Sequence, residues 1–198
     1  MAELDAGRIA AAALAVADAR GLAGFTMRAV AEALAVTPMA LYHHVKDKAA
    51  LAALVVDAAI GEQPLPAPTG DWREDLWAMA RWTRESRRAH PALAHIRRAY
   101  GVWTQASLQM TERWLSLWQQ SGLPLAAALT AARTSSLAVV GLVEEEAAFR
   151  GLDRPADAAL AWLPNARLMF DAPPDYDADF ELLSRALIAG LHARLSAG

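Results

Sequence analysis

Apolar residues return every three or four positions along almost the whole chain, the spacing that lines one face of an α-helix. Leu51, Leu54, Val55 and Ala58 form one such stripe, and Trp72, Leu76, Met79 and Thr83 form another. Trp103, Ser107, Met110, Trp114, Leu117 and Trp118 align over residues 102–120. Leu125, Leu129, Ala132, Ser136, Val139, Val140 and Val143 align over 124–150, and Phe180, Leu183, Leu187 and Leu191 over 178–196. A first helix over 4–20 stops at Gly21, a usual C-terminal residue. Thr26 precedes a helix over 27–34, Thr37 with Pro38 behind it precedes one to 44, and Asp47 precedes one to 61. Each carries a side-chain oxygen that can accept from a free first-turn N–H. Shorter pieces follow Pro91 and cover 164–170. No Asn-Gly or Asp-Gly hairpin signal occurs, so the predicted fold class is all-α.

The breaks divide the chain. Ten prolines, including the pair Pro173 and Pro174, fall at helix edges, where the missing N–H does least harm. Residues 63–70 (QPLPAPTG) hold three prolines and no charge and read as a linker; 151–157 and 171–179 read as loops. The expected organisation is a domain over 1–46, a connecting helix over 47–62, the linker over 63–70 and a second helical domain over 71–198.

Composition narrows the possibilities. The 198 residues are 55% hydrophobic, far too apolar for a disordered chain. The longest unbroken apolar run, residues 9–17, is short of the roughly 18 residues of a membrane span, so no membrane association is expected. The acidic opening does not resemble a signal peptide, and a cytoplasmic location is expected. There are no cysteines, which excludes disulfides and thiol chemistry. Lys and Arg total 19 against 22 Asp and Glu, so a nucleic-acid function would have to live in a local patch.

Residues 26–48 offer one. Two short helices flank a tight connection, Ala35-Val36-Thr37, and Val30, Leu34, Val36 and Leu41 can bury together as a wedge, with Ala31 small enough for close approach. Such a pair is a helix-turn-helix, whose second helix enters the major groove. Thr26 and Thr37 lie at helix N-termini, which favour phosphate. Tyr42, His43, His44 and Lys48 cluster at the far end of the second helix and suit phosphate contacts. The chain's only lysines, Lys46 and Lys48, lie here; with Arg28 they outnumber Glu32 and Asp47 by one. Arg28, beside Met27 in the candidate set, is the side chain able to grip guanine bidentately. A helical hairpin with threonine caps is also ordinary core structure, and spacing alone leaves both readings open.

Residues 4–51 resemble the DNA-binding domain of the tetracycline-repressor (TetR) family of bacterial transcriptional regulators. The resemblance rests on Gly21, the run Thr26-Met-Arg-Ala-Val-Ala-Glu-Ala-Leu-Ala-Val, the run Ala40-Leu-Tyr-His-His-Val-Lys-Asp-Lys, and Leu51. The remainder is more loosely similar to the ligand-binding half of the tetracycline-repressor subgroup, through Trp72, the break at Gln119-Gln120-Ser121-Gly122, residues 139–146 and the closing helix. The resemblance implies a three-helix DNA-binding domain followed by a helical ligand-binding and dimerisation domain, and a homodimer on a palindromic double-stranded operator. It implies that Arg28 reads a base, that Thr37, Pro38, Met39 and Ala40 face base edges, and that Thr26, Tyr42, His44 and Lys48 hold the backbone. Pro38, Met39 and Ala40 are apolar where relatives often carry polar readers; apolar groups meet thymine methyls, so thymines are expected at those steps. At the ligand the resemblance breaks. Pro64, Met79, Thr83 and Arg98 stand where the tetracycline repressor grips its drug–magnesium chelate with polar side chains, a histidine and an asparagine having become Pro64 and Met79. An apolar or aromatic effector is expected instead.

Six of the seven tryptophans lie between Trp72 and Trp118. Trp103, Met110 and Trp114, with Met79 and Thr83, can line a pocket, although core packing is the ordinary role of such residues. Arg98, Leu129, Ala132, Arg133 and Ser136 complete the candidate ligand set; Arg133 interrupts an apolar helix and either enters the pocket or snorkels outward. Glu144-Glu145-Glu146 reads as a solvated helix face, and His90, His95 and His192 lack metal spacing, so neither metal nor cofactor is expected. The faces of 124–150 and 178–196, with Gly141 and Gly190, can pair across a two-fold axis. The expected function is a ligand-responsive transcriptional repressor, not an enzyme: no glycine-rich phosphate loop and no Ser/His/acid set can be placed. The alternatives are a helical enzyme or carrier without DNA binding, and a helix-turn-helix kept for protein contact.

Overall fold

The computed structural model describes residues 4–172 and 174–197; residues 1–3 of the acidic opening, the proline at 173 read above as a helix edge, and residue 198 lie outside the described residues. The described residues form helices and no strand. In chain order these are α1 (Ala6–Gly24), α2 (Met27–Ala33), α3 (Pro38–His44), α4 (Lys48–Gly61), α5 (Trp72–Ala89), α6 (Ala92–Tyr100), α7 (Gln105–Gln120), α8 (Leu125–Arg150), α9 (Asp157–Leu160), α10 (Pro164–Asp171) and α11 (Tyr176–Ser196).

Local chemistry sets the first four. Asp5 accepts the Arg8 N–H at 2.8 Å, Thr26 that of Ala29 and Thr37 that of Ala40 at 3.1 Å, and Asp47 that of Ala50 at 2.8 Å. Gly21 breaks the regular path of α1 with φ 60° and ψ −169°, although the helix is assigned through Gly24. Ile9, Phe25, Val30, Leu41, Leu51 and Val55 are fully buried at the centre of this half.

The turn between α2 and α3 is a Schellman motif. Val36 N–H donates to the Ala31 carbonyl and Ala35 N–H to that of Glu32, both at 3.0 Å. The motif puts the residue after the cap in the left-handed region, usually glycine. Here it is Ala35, φ 54°, the described non-glycine residue with positive φ.

Helices α5, α7, α8 and α11 pack into a second bundle around Leu76, Met79, Leu117, Trp118, Ala128 and Ala131. The indoles of Trp114 and Trp118 each donate to Ser135 Oγ at 2.9 Å, while that hydroxyl donates to the Ala131 carbonyl at 2.7 Å. Two lone pairs and one proton are thereby all used. An 18-residue window of α8 has mean hydropathy 1.5, long and apolar enough by composition to cross a membrane, a possibility that a search for unbroken apolar runs overlooks. In the fold it packs against α5, α7 and α11.

Some expected boundaries shift. Helix α7 starts at Gln105, not 102, because Thr104 and Ser107 close a capping box. Helix α11 starts at Tyr176, within the expected acidic loop, because Asp175 accepts from Asp177 and Ala178 N–H groups. Helix α9 carried no clear sequence signal; it packs on α10, and Trp162 between them is 91% exposed.

Glu146 corrects the solvated reading of its acidic run. It is buried and receives Arg84 at 2.8 Å, Arg150 at 2.9 Å and the Arg88 guanidinium, while Arg84 also pairs with Asp177 at 2.8 Å. Burial alone would raise the carboxyl's pKa, but the three arginines outweigh it and hold it at about 2. Glu144 lies at 3.5 Å from Arg87 and 3.6 Å from Arg98, and Glu145 is exposed.

Helix α6 joins the halves. It follows the linker in sequence but packs on α1 and α4, adding Ala92 and Ile96 to the N-terminal core. His90, just before it, is buried, with Nδ1 2.8 Å from Asp18 of α1 and Nε2 3.0 Å from Glu62 at the end of α4. The linker is tied down as well. Trp82 Nε1 donates to the Gln63 carbonyl at 3.3 Å, and the N–H and hydroxyl of Thr69 donate to Asp75 at 2.8 Å.

Two outcomes follow from this geometry. A left-handed non-glycine residue costs about 1–2 kcal/mol. Glycine relieves that strain and returns part of it through a freer unfolded chain, so A35G should gain ~0.5–1 kcal/mol, seen as a melting temperature higher by roughly 1–4 °C. An unchanged or lower value would show the turn to be unstrained. For His90, burial disfavours the imidazolium, but the hydrogen bonds and charges of Asp18 and Glu62 prevail and raise its pKa above 6.5. Its contribution to stability is therefore complete below 6.5 and fades as pH climbs through the raised folded value. Urea melts of the wild type and of H90Q across that range should show a stability gap that narrows with rising pH; a gap independent of pH would refute the charged contact.

Candidate nucleic-acid interface and effector cavity

The N-terminal half presents one side of α3 to solvent. Leu41 anchors the helix with no exposed surface, while Thr37, Pro38, Met39, Tyr42, His43 and His44 are exposed and Ala40 is half-exposed. Met39 is 68% exposed, much for an apolar side chain, and stands on the leading turn. Arg28 is exposed on α2 and meets no carboxylate among the described residues. Glu32, the nearest acid in the sequence, is drawn to Arg20 at 3.6 Å. Cap, turn and anchor thus collect Thr26, Arg28, Thr37, Pro38, Met39, Ala40, Tyr42, His43 and His44 on the two helices.

Two candidate residues stand elsewhere. Met27 is 8% exposed and belongs to the N-terminal core, because its place in the first turn faces α1 rather than solvent. Lys48 is half-buried, its ammonium 5.3 Å from the Tyr100 ring and 5.9 Å from the Phe25 ring. Cation–π attraction leans it toward α6.

The second site is a cavity of about 430 Å³ enclosed by α4, α5, α6, α7 and α8. It gathers Thr83, Trp103, Met110, Trp114, Leu129, Ala132, Arg133 and Ser136 from the candidate set. Size and an apolar lining with a few polar groups are those of a small-molecule site. Met79 is not there: it is 1% exposed and packs in the bundle core, on the inner side of α5. Arg98 turns away, its side chain 74% exposed, and lines an adjoining cavity of about 260 Å³.

The structure adds lining residues that pattern reading missed. Val56 and Ile60 come from α4, Trp82, Ser86 and Arg87 from α5, and Leu93, Ala94 and Arg97 from α6. Thr83, Ser86 and Arg87 share the i, i+3, i+4 face of one helix, a spacing that extends from the candidate Thr83. Burial pulls the Arg87 guanidinium below its ordinary range, Glu144 opposes this, and Arg97 and Arg98 add repulsion. Burial acts the same way on Arg97, whose guanidinium lies 4.8 Å from the Trp103 ring. Among the described residues no group of three acidic or histidine side chains is arranged to hold a metal.

Comparison with known proteins covers both halves. The family described as bacterial regulatory proteins, tetR family, matches residues 9–55, and the tetracyclin repressor-like C-terminal domain matches 63–195. The chain is 36% identical over 118 residues to the HTH-type transcriptional repressor DrrR1 of Streptomyces coeruleorubidus, a match covering 59% of this chain and 44% of that protein. The Streptomyces coelicolor TetR family protein ActR in complex with (S)-DNPA superposes with a TM-score of 0.73 at 28% identity, covering 98% of this chain and 99% of that one. BioQ with its double-stranded DNA operator superposes with a TM-score of 0.72 at 25% identity, covering 96% and 99%.

Proposed function

The chain belongs to the TetR family of bacterial regulatory proteins and is a DNA-binding transcriptional regulator, and we propose that it acts in the cytoplasm as a homodimeric repressor of a palindromic operator, released by a small apolar or aromatic effector. The observation that carries this reading is the sharing of α4 and α6. Both line the cavity, through Val56, Ile60, Ala94 and Arg97, and both pack in the core that holds the helix-turn-helix, through Leu51, Val55, Ala92 and Ile96. Filling the cavity thus acts on two helices that pack on α1, and α1 carries α2 and through it α3.

In the proposed complex each α3 enters a major groove, the two centred about 34–36 Å apart across the dyad. Arg28 reads a base, and Pro38, Met39 and Ala40 meet base edges, with Met39 fitted to a thymine methyl. Thr26, Thr37, Tyr42, His43 and His44 hold phosphates, and Lys48 completes the backbone grip from its place near α6. An effector that favours a differently spaced dimer weakens operator affinity; coupling of about 1–3 kcal/mol corresponds to roughly five- to 150-fold.

Support for a second copy comes from surface left uncovered. On α11, Leu182, Ala186, Ala189, Gly190 and Ala193 form an exposed apolar and small-residue stripe. A Cβ added at Gly141 or Gly190 would meet nothing within 4 Å, so these glycines answer no demand within one chain. Close helix approach across a two-fold axis gives them a role.

Two measurements test the reading. R28A should weaken operator binding in gel shifts by about tenfold and relax preference at one base step; unchanged affinity and preference would remove Arg28 from its role. L182E should convert the dimer to monomer in sedimentation and abolish binding to the full inverted repeat while leaving the helical content intact. A dimer that persists would move the interface off α11.

A further inference from the structure

The main cavity and its smaller neighbour share one wall, made by Arg87, Ala94, Arg97, Trp103 and Val140. Charge there is unbalanced. Arg87, Arg97, Arg98 and Arg133 line the two spaces, and among the described residues Glu144 is the sole carboxylate in either lining. That carboxylate is held loosely, 3.5 Å from Arg87 and 3.6 Å from Arg98, whereas a strong charge-assisted contact is nearer 2.8 Å. Arg97 has no ion pair or hydrogen bond among the described residues, although it is half-buried. A guanidinium taken partly out of water without an anion is an unmet cost. Its planar fork matches a carboxylate, and its stacking on Trp103 holds the plane in place.

We propose that the effector is an aromatic acid, its rings in the main cavity against Trp82 and Trp114 and its carboxylate taken by Arg97 together with Arg87. This rests on the reading of the cavity as the effector site and adds the charge of the ligand to it. The acid would tie α5, which carries Arg87, to α6, which carries Arg97 and packs on α1 and α4. Ligand charge then acts on the helix that reaches the reading head.

Calorimetry of the full-length protein with 2-naphthoate and its near-isosteric amide, 2-naphthamide, tests the assignment. The acid should bind about ten- to a hundredfold tighter, the difference made by hydrogen bonds to a charged group. R97Q should erase that preference by weakening the acid far more than the amide, and R97K, which keeps charge but loses the fork, should keep only part of it. Equal binding of acid and amide by the wild type, or a preference that survives in both R97Q and R87Q, would overturn the anion assignment and leave the effector cavity standing. Exclusion of both compounds would overturn the cavity reading and the assignment together.

Discussion

The burial of Ile96 against α1 and α4 joins the two halves, beside the direct packing of α4 on α7. Ile96 is fully buried in the N-terminal core, while Arg97, the next residue, lines the cavity. Burying such a side chain is worth about 1.5–3 kcal/mol. Coupling between two ligand sites is typically about 1–3 kcal/mol. In the proposed response, a shift of α6 that exposed part of Ile96 would cost energy of the same order as such a coupling.

Electrostatics decides which parts can shift. Glu146 binds arginines from α5 and from its own helix, and Arg84 extends the cluster to Asp177 and the Tyr176 carbonyl on α11. Removing either buried member, Arg84 or Glu146, strands the other in a poorly hydrated place, whereas Arg88, Arg150 and Asp177 reach solvent. Helices α5, α8 and α11 therefore make a fixed frame. Helix α6 is held by apolar packing and, at its start, by the buried contact of His90 with Asp18 and Glu62. The cavity is thus lined both by helices of the ionic cluster and by α6, which packs on the N-terminal half.

Features set within four residues were legible in the sequence. Thr26, Thr37 and Asp47 cap the helices they were read to cap, since the bond runs from i+3 back to i. Long-range partners were not legible. Glu146 looks solvated beside two other glutamates because Arg84 and Arg88 lie about 60 residues away. Met27 looked like a DNA neighbour because it adjoins Arg28, and only the packing of α1 shows which side of α2 is inside. Alanine at 35 gives no hint of a left-handed turn, since glycine is its usual sign. Arg87 could have been reached from Thr83 by the i, i+4 spacing, but Arg97 adjoins Arg98 with no candidate one turn before it to say which member turns inward. The tryptophans divide likewise: Trp82, Trp103 and Trp114 line the cavity, Trp72, Trp77 and Trp118 belong to the bundle core, and Trp162 stands in solvent.

The proline-rich connection has its own consequence. Its prolines at 64, 66 and 68 favour extended, stiff backbone, and both ends are pinned, by Trp82 at Gln63 and by Asp75 at Thr69. Both pins come from α5, so the stretch is fixed along that helix and does not swing free. The Trp82 indole that fastens one end also lines the cavity, so a guest in the proposed effector site would touch the residue that holds the connection. One tryptophan thereby serves two neighbours at once, the wall of a hollow and the path of the chain beside it.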